Sequence, residues 1–317
     1  MGERRESKRR PSADGGSRLE NVARQQRSSG ALSPGLWLVA TPIGNASDIS
    51  LRAMDVLRHA DVLACEDTRQ TRKLMEIHGI TLNRRRMVSY NDQNGAGRRP
   101  QIIGMLAEGL SVAYASDAGT PLIADPGYRL VEAARTEGFD VHTVPGPSAV
   151  LAALSVAGLP TDRFLFVGFL PTKSGARQRE LEEFRDLRAT LVLFESPKRL
   201  GALLTDARTV LGELRNAAVV RELTKKFEEV RHGTLRDLAD AYSESPAKGE
   251  VVVVIGPPST SGESAAVSAQ EIDHLLTLAL ETMTTKDAAQ SVANQAGLPR
   301  RQIYQRALEI SKTLSEH

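Results

Sequence analysis

Between residues 35 and 157, short apolar runs alternate five times with segments of helical periodicity. The runs are 36–40, 61–65, 87–90, 111–116 and 141–144, each of strand length. After the first, Leu51, Met54 and Leu57 recur at helical spacing behind Asp48 or Ser50, either of which can cap a helix. A second helix covers 68–78 and closes on Gly79, a third ends at Gly109, and a fourth covers 126–137 ahead of Gly138. A fifth covers 147–157, opening on Pro147, where the missing N–H is harmless. Continuous apolar strands separated by helices are covered on both faces, so this half of the chain is expected to be a largely parallel, doubly wound α/β sheet.

Gly158-Leu159-Pro160 marks a boundary. Beyond it, strands are expected at 164–170, 190–195, 217–223, 229–232 and 250–255, with helices at 176–187 and 198–211. Shorter and more direct links between strands point to a mixed sheet. The expected organisation is therefore a tail at 1–33, α/β domains at 34–158 and 159–256, a linker at 257–270, and a helical segment at 271–317. In that last segment the helices are 271–281, 286–296 and 300–311. The tail carries a net charge of +4 over residues 1–30 and almost no large apolar side chain, which reads as disorder. It is either an RNA-attracting arm or a dispensable extension.

The whole chain has a formal net charge of +2, so everything after residue 30 sums to −2. Any polyanionic partner must be met by local basic patches and not by bulk charge. A single cysteine, Cys65, excludes an internal disulfide and a cysteine-cluster metal site. His59, His78, His142 and His232 are scattered, and no spacing suggests a metal. No run approaches membrane-span length, and the basic N-terminus has no apolar segment behind it, so a cytoplasmic setting is expected.

Polar, glycine- and proline-rich loops follow four strands of the first domain: Thr41–Asn45, Glu66–Arg69, Ser116–Pro121 and Pro145–Ser148. In an open parallel sheet ligands bind beyond the carboxyl ends of the strands. The G-x-G-x-x-G and G-x-x-x-x-G-K-[ST] patterns are both missing, which argues against dinucleotide and P-loop nucleotide chemistry. From the residues alone the expectation is a two-domain α/β enzyme with a polar, glycine-rich cleft.

Val39-Ala40-Thr41-Pro42-Ile43-Gly44-Asn45, Glu66-Asp67-Thr68-Arg69 and Ser116-Asp117-Ala118-Gly119-Thr120-Pro121-Leu122-Ile123 occur in that order. Pro145-Gly146-Pro147-Ser148-Ala149, Gly168-Phe169-Leu170-Pro171 and Arg221-Glu222-Leu223-Thr224-Lys225 follow. Together they resemble the ribosomal RNA small subunit methyltransferase I family, within the tetrapyrrole-methylase-like superfamily of class III methyltransferases. The resemblance runs from about Gly35 to Ile255. It implies S-adenosylmethionine (S-adenosyl-L-methionine) as cofactor, bound in a cleft between two α/β domains, usually in a homodimer. It also implies 2′-O-methylation of a cytidine of 16S ribosomal RNA in the 30S subunit, at the position numbered 1402. By motif position it implies a cofactor set of Asp117, Ala118, Gly119, Thr120, Ile123, Ser148 and Ala149, completed by Phe194, Glu195, Glu222, Leu223 and Thr224. The chain departs from the family pattern at Asn91-Asp92-Gln93-Asn94 and at Lys198.

For ribose methylation a base must take the 2′-hydroxyl proton. Lys225 is a candidate, with Glu66 and Asp67 as rivals. The bland readings are a phosphate contact for Lys225 and a salt bridge to Arg69 or Arg72 for the two acids. Arg69, Arg72 and Lys73 share a helix start, Arg84–Arg86 and Arg98-Arg99 form loop clusters, and Arg300 and Arg301 enter the second helix of a helix-turn-helix-like segment. Each could contact RNA phosphates, or be a solvated face or part of a helical packing module. Two other functions remain: a tetrapyrrole-type small-molecule methylase, which fits Glu66–Arg69 and Arg221–Lys225 less well, and a non-catalytic nucleic-acid-binding protein.

Overall fold

The computed structural model describes residues 31–124, 126–244, 247–258, 269–280, 283–296 and 300–315. The expectations for the basic tail up to residue 30 and for most of the 257–270 linker lie outside the described residues. The chain divides into two compact units: 1–152 together with Leu223–Phe227, and 153–222 together with 228–317.

In the first unit, β1 (Gly35–Val39), β2 (Val62–Cys65), β3 (Arg86–Ser89), β4 (Ser111–Ala115) and β5 (Val141–Val144) form one sheet in the order β3-β2-β4-β1-β5. Every pairing is parallel. The helices are α1 (Leu51–His59), α2 (Thr68–Ile77), α3 (Gly95–Ala107), α4 (Tyr128–Thr136) and α5 (Ala149–Val156). Side chains alternate across the strands, as the two-residue period requires. Trp37, Val39, Leu63, Cys65 and Ala113 pack with Ala53, Val56 and Leu57 of α1 and Met75 of α2. Leu36, Val62, Ala64, Val112 and Tyr114 pack with Ile102 and Met105 of α3 and Leu130 of α4. Burial on both faces explains why the central strands β1, β2 and β4 are nearly continuously apolar.

Local chemistry sets the helix ends. Ser50 caps α1, its Oγ accepting from the Ala53 amide at 3.0 Å, while Asp48 belongs to a separate 3₁₀ turn, Ala46–Asp48, capped by Asn45. The helix expected to open on Pro147 begins at Ala149: the Ser148 carbonyl accepts from the Ala152 amide at 2.9 Å, and the Pro147 carbonyl accepts from the Thr120 hydroxyl at 3.0 Å. Arg98 and Arg99 lie within α3 and not in a loop. Pro100, a residue that favours the first turn of a helix, sits in the second turn here. The chain turns earlier because Asn91 and Asn94 exchange amide–carboxamide hydrogen bonds at 2.9 and 3.2 Å.

The second unit holds β6 (Phe164–Phe169), β7 (Thr190–Glu195), β8 (Asn216–Arg221), β9 (Glu229–Thr234) and β10 (Val251–Ile255), in the order β6-β7-β10-β8-β9. Only β6 and β7 pair in parallel, so the sheet is mixed. Helices α6 (Ser174–Glu183), α7 (Leu200–Leu211) and α8 (Leu235–Glu244) cover one face through Leu181, Leu203, Leu204 and Leu238. Helix α8 falls in a gap that the sequence reading left without a helix. Its signals are visible in retrospect: Thr234 and Asp237 cap it reciprocally at 3.0 and 3.2 Å, and Leu235, Leu238, Ala239 and Tyr242 recur at helical spacing. Beneath α6 and α7, Arg177 and Asp206 form a buried ion pair at 2.6 Å, with Ser174 and Gln178 also bonding the carboxylate. Helices α9 (Ala269–Leu280), α10 (Thr285–Ala296) and α11 (Arg300–Ser315) share their own core of Leu276, Ala289, Val292, Ala293, Ile303 and Ala307.

Candidate active site

The connections leaving β1 and β2 run toward the β3 edge, and those leaving β3 and β4 run toward the β5 edge. Adjacent strands β2 and β4 therefore send their chains in opposite directions and to opposite faces, with α2 on one face and α4 on the other. Such a divergence opens a crevice beyond the carboxyl ends of the two strands. The Asp67 amide donates to Asp117 Oδ1 at 2.9 Å across it. A pocket of about 420 Å³ lies there, lined by Glu66, Asp67, Arg69, Ser89, Asn91 and Asp117. With three carboxylates and one guanidinium, it suits a cation or ligand hydroxyl groups and repels phosphate.

Asp67 is the N-cap of α2. Its carboxylate accepts from the Arg69 amide at 2.8 Å and pairs with Arg69 Nη2 at 2.6 Å. Hydrogen bonds from the Arg69 side chain, then from its amide, hold the Asp67 carboxyl down to about 2. A carboxylate so held is a poor proton acceptor near neutrality, so of the three base candidates Asp67 is the one the geometry disfavours. Glu66 is half-buried in the same pocket.

The loops after β1, β4 and β5 are tied to one another. Thr41 and Gly119 exchange backbone hydrogen bonds at 2.9 Å in both directions, and Ser116 Oγ donates to the Gly119 carbonyl at 2.7 Å. Gly119 has φ +79°, a left-handed conformation that favours glycine. Leu122 and Ala124 hold left-handed backbone at φ +76° and +60° without being glycine, a strain that marks this loop as over-determined by its surroundings. Asp117, Ala118 and Ile123 are exposed, while Thr120, Ser148 and Ala149 are half-buried around them. At Gly146 a Cβ would stand 2.9 Å from that of Ala40, so the β1 and β5 loops meet too closely for any side chain.

Leu223, Thr224 and Lys225 also belong to this unit. The Asn45 amide donates to Thr224 Oγ1 at 3.2 Å, and the Lys225 stem lies against Gly44. Leu223 is buried, and Thr224 and Lys225 are half-buried. The structure thus brings together Asp117–Thr120, Ile123, Ser148, Ala149, Leu223 and Thr224, with Lys225, in one unit.

Phe194, Glu195 and Glu222 lie in the second unit. Phe194 meets Phe166 and Phe169 edge-on, with centroids 4.9 and 5.8 Å apart. Glu195 is buried, accepts from the Ser196 amide at 2.7 Å and pairs with Arg199 at 3.0 Å, so its carboxylate orders the turn into α7. Glu222, at φ +52°, accepts from the Glu250 amide at 2.9 Å and leaves no room for a Cβ at Gly249.

The basic residues divide in the same way. Arg69 is 87% exposed and paired with Asp67, and Arg72 and Lys73 are exposed on α2. Arg84 and Arg86 are exposed, but Arg85 turns inward and donates to the Leu57, Ala60, Leu82 and Thr81 carbonyls at 2.7–3.2 Å. It secures the C-terminal end of α1 and offers no free charge to phosphate. Arg300 and Arg301 open α11, and their side chains lie outside the described residues. Sequence reading missed the site positions Ser89 and Asn91; the Asn91-x-x-Asn94 turn was the signal for the second of them.

Residues 35–239 match the profile of the tetrapyrrole (corrin/porphyrin) methylases, and residues 266–311 match that of the RsmI C-terminal HTH domain. Among curated relatives, the ribosomal RNA small subunit methyltransferase I of Mesorhizobium japonicum is 48% identical over 90% of this chain and 95% of its own. The protein of the same name from Synechocystis is 41% identical over 87% of this chain and 98% of its own. Among solved structures, diphthine synthase superposes with a TM-score of 0.55 at 19% identity, over 70% of this chain and 89% of that one. The uroporphyrin-III C-methyltransferase of Thermus thermophilus, complexed with S-adenosyl homocysteine, superposes with a TM-score of 0.50 at 20% identity, over 70% of this chain and 97% of that one.

Proposed function

Because the chain belongs to the tetrapyrrole methylase family, we propose that it transfers the methyl group of S-adenosylmethionine to ribosomal RNA of the small subunit. The acceptor in this reading is the ribose 2′-oxygen of a decoding-region cytidine, the position numbered 1402. The observation that carries the reading is the end-to-end correspondence with relatives named ribosomal RNA small subunit methyltransferase I, joined to the matching helix-turn-helix profile at the C-terminus. The assembled 30S subunit as substrate, a homodimer, and a cytoplasmic setting belong to the same reading.

The strand-end loops fit a nucleoside-bearing cofactor. Ala118 is exposed, so its backbone can approach a ligand, and the exposed Asp117 can accept from ribose hydroxyls. Asp117–Thr120, Ile123, Ser148, Ala149, Leu223 and Thr224 are the holding residues proposed for the first unit, and Phe194, Glu195 and Glu222 those proposed for the second. When bound, S-adenosylmethionine supplies an electrophilic sulfonium methyl group. The protein has to position the ribose oxygen in line and remove its proton. Orientation of that kind contributes roughly 7–11 kcal/mol at its best, and a positioned base adds about 10²–10⁴-fold. Lys225 Nζ takes the proton in this reading, with its stem packed against Gly44, and Glu66 is the rival.

The test is methyl transfer from labelled S-adenosylmethionine to 30S subunits from a strain lacking this gene, mapped by nuclease digestion. Label in a single ribose-methylated cytidine of the decoding region is expected. No label on 30S subunits, naked RNA or assembly intermediates, with cofactor binding intact, overturns the ribosomal assignment.

A further inference from the structure

A second cavity adjoins the carboxylate-lined pocket, and Asn91 lines both. It measures about 400 Å³, and its chemistry is opposite: Arg99 and Arg129 border it against the single described carboxylate of Asp92, with Tyr90 and Tyr128 completing the wall.

Three observations point to an anion. Neither Arg99 nor Arg129 forms a hydrogen bond or ion pair with any described residue, whereas Arg69, Arg85 and Arg177 are tied down; Arg99 Nε is buried without a hydrogen-bond partner. Tyr90 is 2% exposed, yet its hydroxyl has no partner among the described residues, and it lies 3.3 Å from where a Cβ on Gly95 would stand, at the cavity wall. Finally, α3 and α4 both begin at this cavity, at Gly95 and Tyr128, and neither carries a side-chain cap. Their amide ends add partial positive charge to that of the arginines. The Tyr128 ring, 67% exposed, offers a stacking face beside them.

We propose that this cavity is a phosphodiester subsite for the substrate RNA, in which Arg99, Arg129 and the Tyr90 hydroxyl hold one backbone phosphate while Tyr128 stacks on a neighbouring base. The proposal rests on the RNA-methylating reading above and adds where the strand's backbone is held. The shared Asn91 sets a phosphate-attracting cavity beside a pocket that accepts from hydroxyls and repels phosphate.

The experiment uses the full chain and unmethylated 30S subunits, measuring binding across a potassium chloride series together with methylation kinetics. S-Adenosylmethionine affinity is measured by calorimetry as a control. Arg99→Gln with Arg129→Gln should weaken 30S binding roughly 10- to 100-fold, as loss of hydrogen bonds to a charged group does. It should make the salt slope shallower by about 0.7–0.9, the value for one phosphate. KM should rise with kcat nearly unchanged, because the contact is made equally in the ground and transition states, and cofactor affinity should not move. Tyr90→Phe removes only the hydroxyl and should raise KM several-fold without lowering the melting temperature. Asp92→Asn should tighten binding, since it removes the one described negative charge from the cavity. A folded double arginine variant with parental slope and KM, or an Asp92→Asn variant that binds more weakly, overturns the subsite. If that happens while the parent chain methylates 30S subunits, only the subsite falls. If the parent transfers no methyl group to RNA, the functional reading fails and the subsite fails with it.

Discussion

Replacing Gly44 by alanine should destabilise the protein, opposite in sign to the same change in an open loop. Gly44 is outside the left-handed region, so alanine can take its backbone conformation without strain. Reduced freedom of the unfolded chain would then stabilise by about 0.4–1 kcal/mol. The new methyl group, however, would stand 2.6 Å from Lys225 Cγ, 2.8 Å from Thr224 Oγ1 and 3.0 Å from the Leu223 carbonyl oxygen. The lysine stem can swing aside. The carbonyl cannot move without the backbone, and Thr224 is held at φ +63° with its hydroxyl bonded to the Asn45 amide. Overpacking of this sort costs roughly 1–3 kcal/mol, which after the entropic gain leaves a net loss between about zero and 2.6 kcal/mol, about 1–2 kcal/mol over the middle of that range. For units of this size that is a fall of roughly 2–8 °C in melting temperature, read by scanning calorimetry. Gly104→Ala is the control: it lies in α3 with nothing within 4 Å of its would-be Cβ, and should stabilise by up to about 1 kcal/mol. Adding Lys225→Ala to Gly44→Ala should recover only part of the loss, because the other two contacts remain. A Gly44→Ala protein melting at or above the parent, while Gly104→Ala behaves as expected, would refute the seating of Leu223–Lys225 on the β1 loop.

Three other outcomes follow from the packing. Burial pushes the Cys65 thiol up to about 11, so iodoacetamide at pH 8 should label the native chain slowly and the unfolded chain readily; equal rates would contradict the burial of β2. Asp67 should titrate by carbon NMR with a midpoint near 2, rising toward 3.8 in Arg69→Gln. Because its folded value is the lower one, its stabilising contribution is fully present above 3.8 and disappears as pH falls through 2. Arg177→Ala should cost about 3–5 kcal/mol in urea unfolding by leaving the buried Asp206 carboxylate without its cationic partner, held only by Ser174 and Gln178, and Arg177→Met with Asp206→Leu should recover most of it; a single-variant cost below about 1 kcal/mol would contradict the buried pair.

The central strands β1, β2 and β4 were legible because they are buried on both faces, so their apolar runs are nearly unbroken, whereas the edge strands β3 and β5 are only partly buried and carry polar residues. Helix α8 was equally marked, by the Thr234–Asp237 cap and the Leu235, Leu238, Ala239 and Tyr242 stripe, but its ten residues lie between two short strands and were passed over. Arg98 and Arg99 were placed in a loop, whereas the Asn91–Asn94 turn starts α3 at Gly95 and takes both into its first two turns. The loops that line the candidate site stood out by composition. That Arg69 holds the Asp67 carboxylate did not, since that contact depends on how the start of α2 is turned.

Local patterning by itself determined the parallel doubly wound sheet, the mixed second sheet and the helical C-terminal segment. Each depends on residue periodicity and on capping groups a few positions apart, interactions that the chain order alone makes adjacent. The tertiary structure decided the rest: that Leu223–Phe227 joins the first unit against Gly44, that Arg85 serves a helix end while Arg99 and Arg129 border a cavity, and that carboxylates and guanidinium groups separate into neighbouring pockets. A charge acquires its role from what lies within a few ångströms of it, and those neighbours come from loops far apart in the chain, brought to one sheet edge only when the sheet has formed.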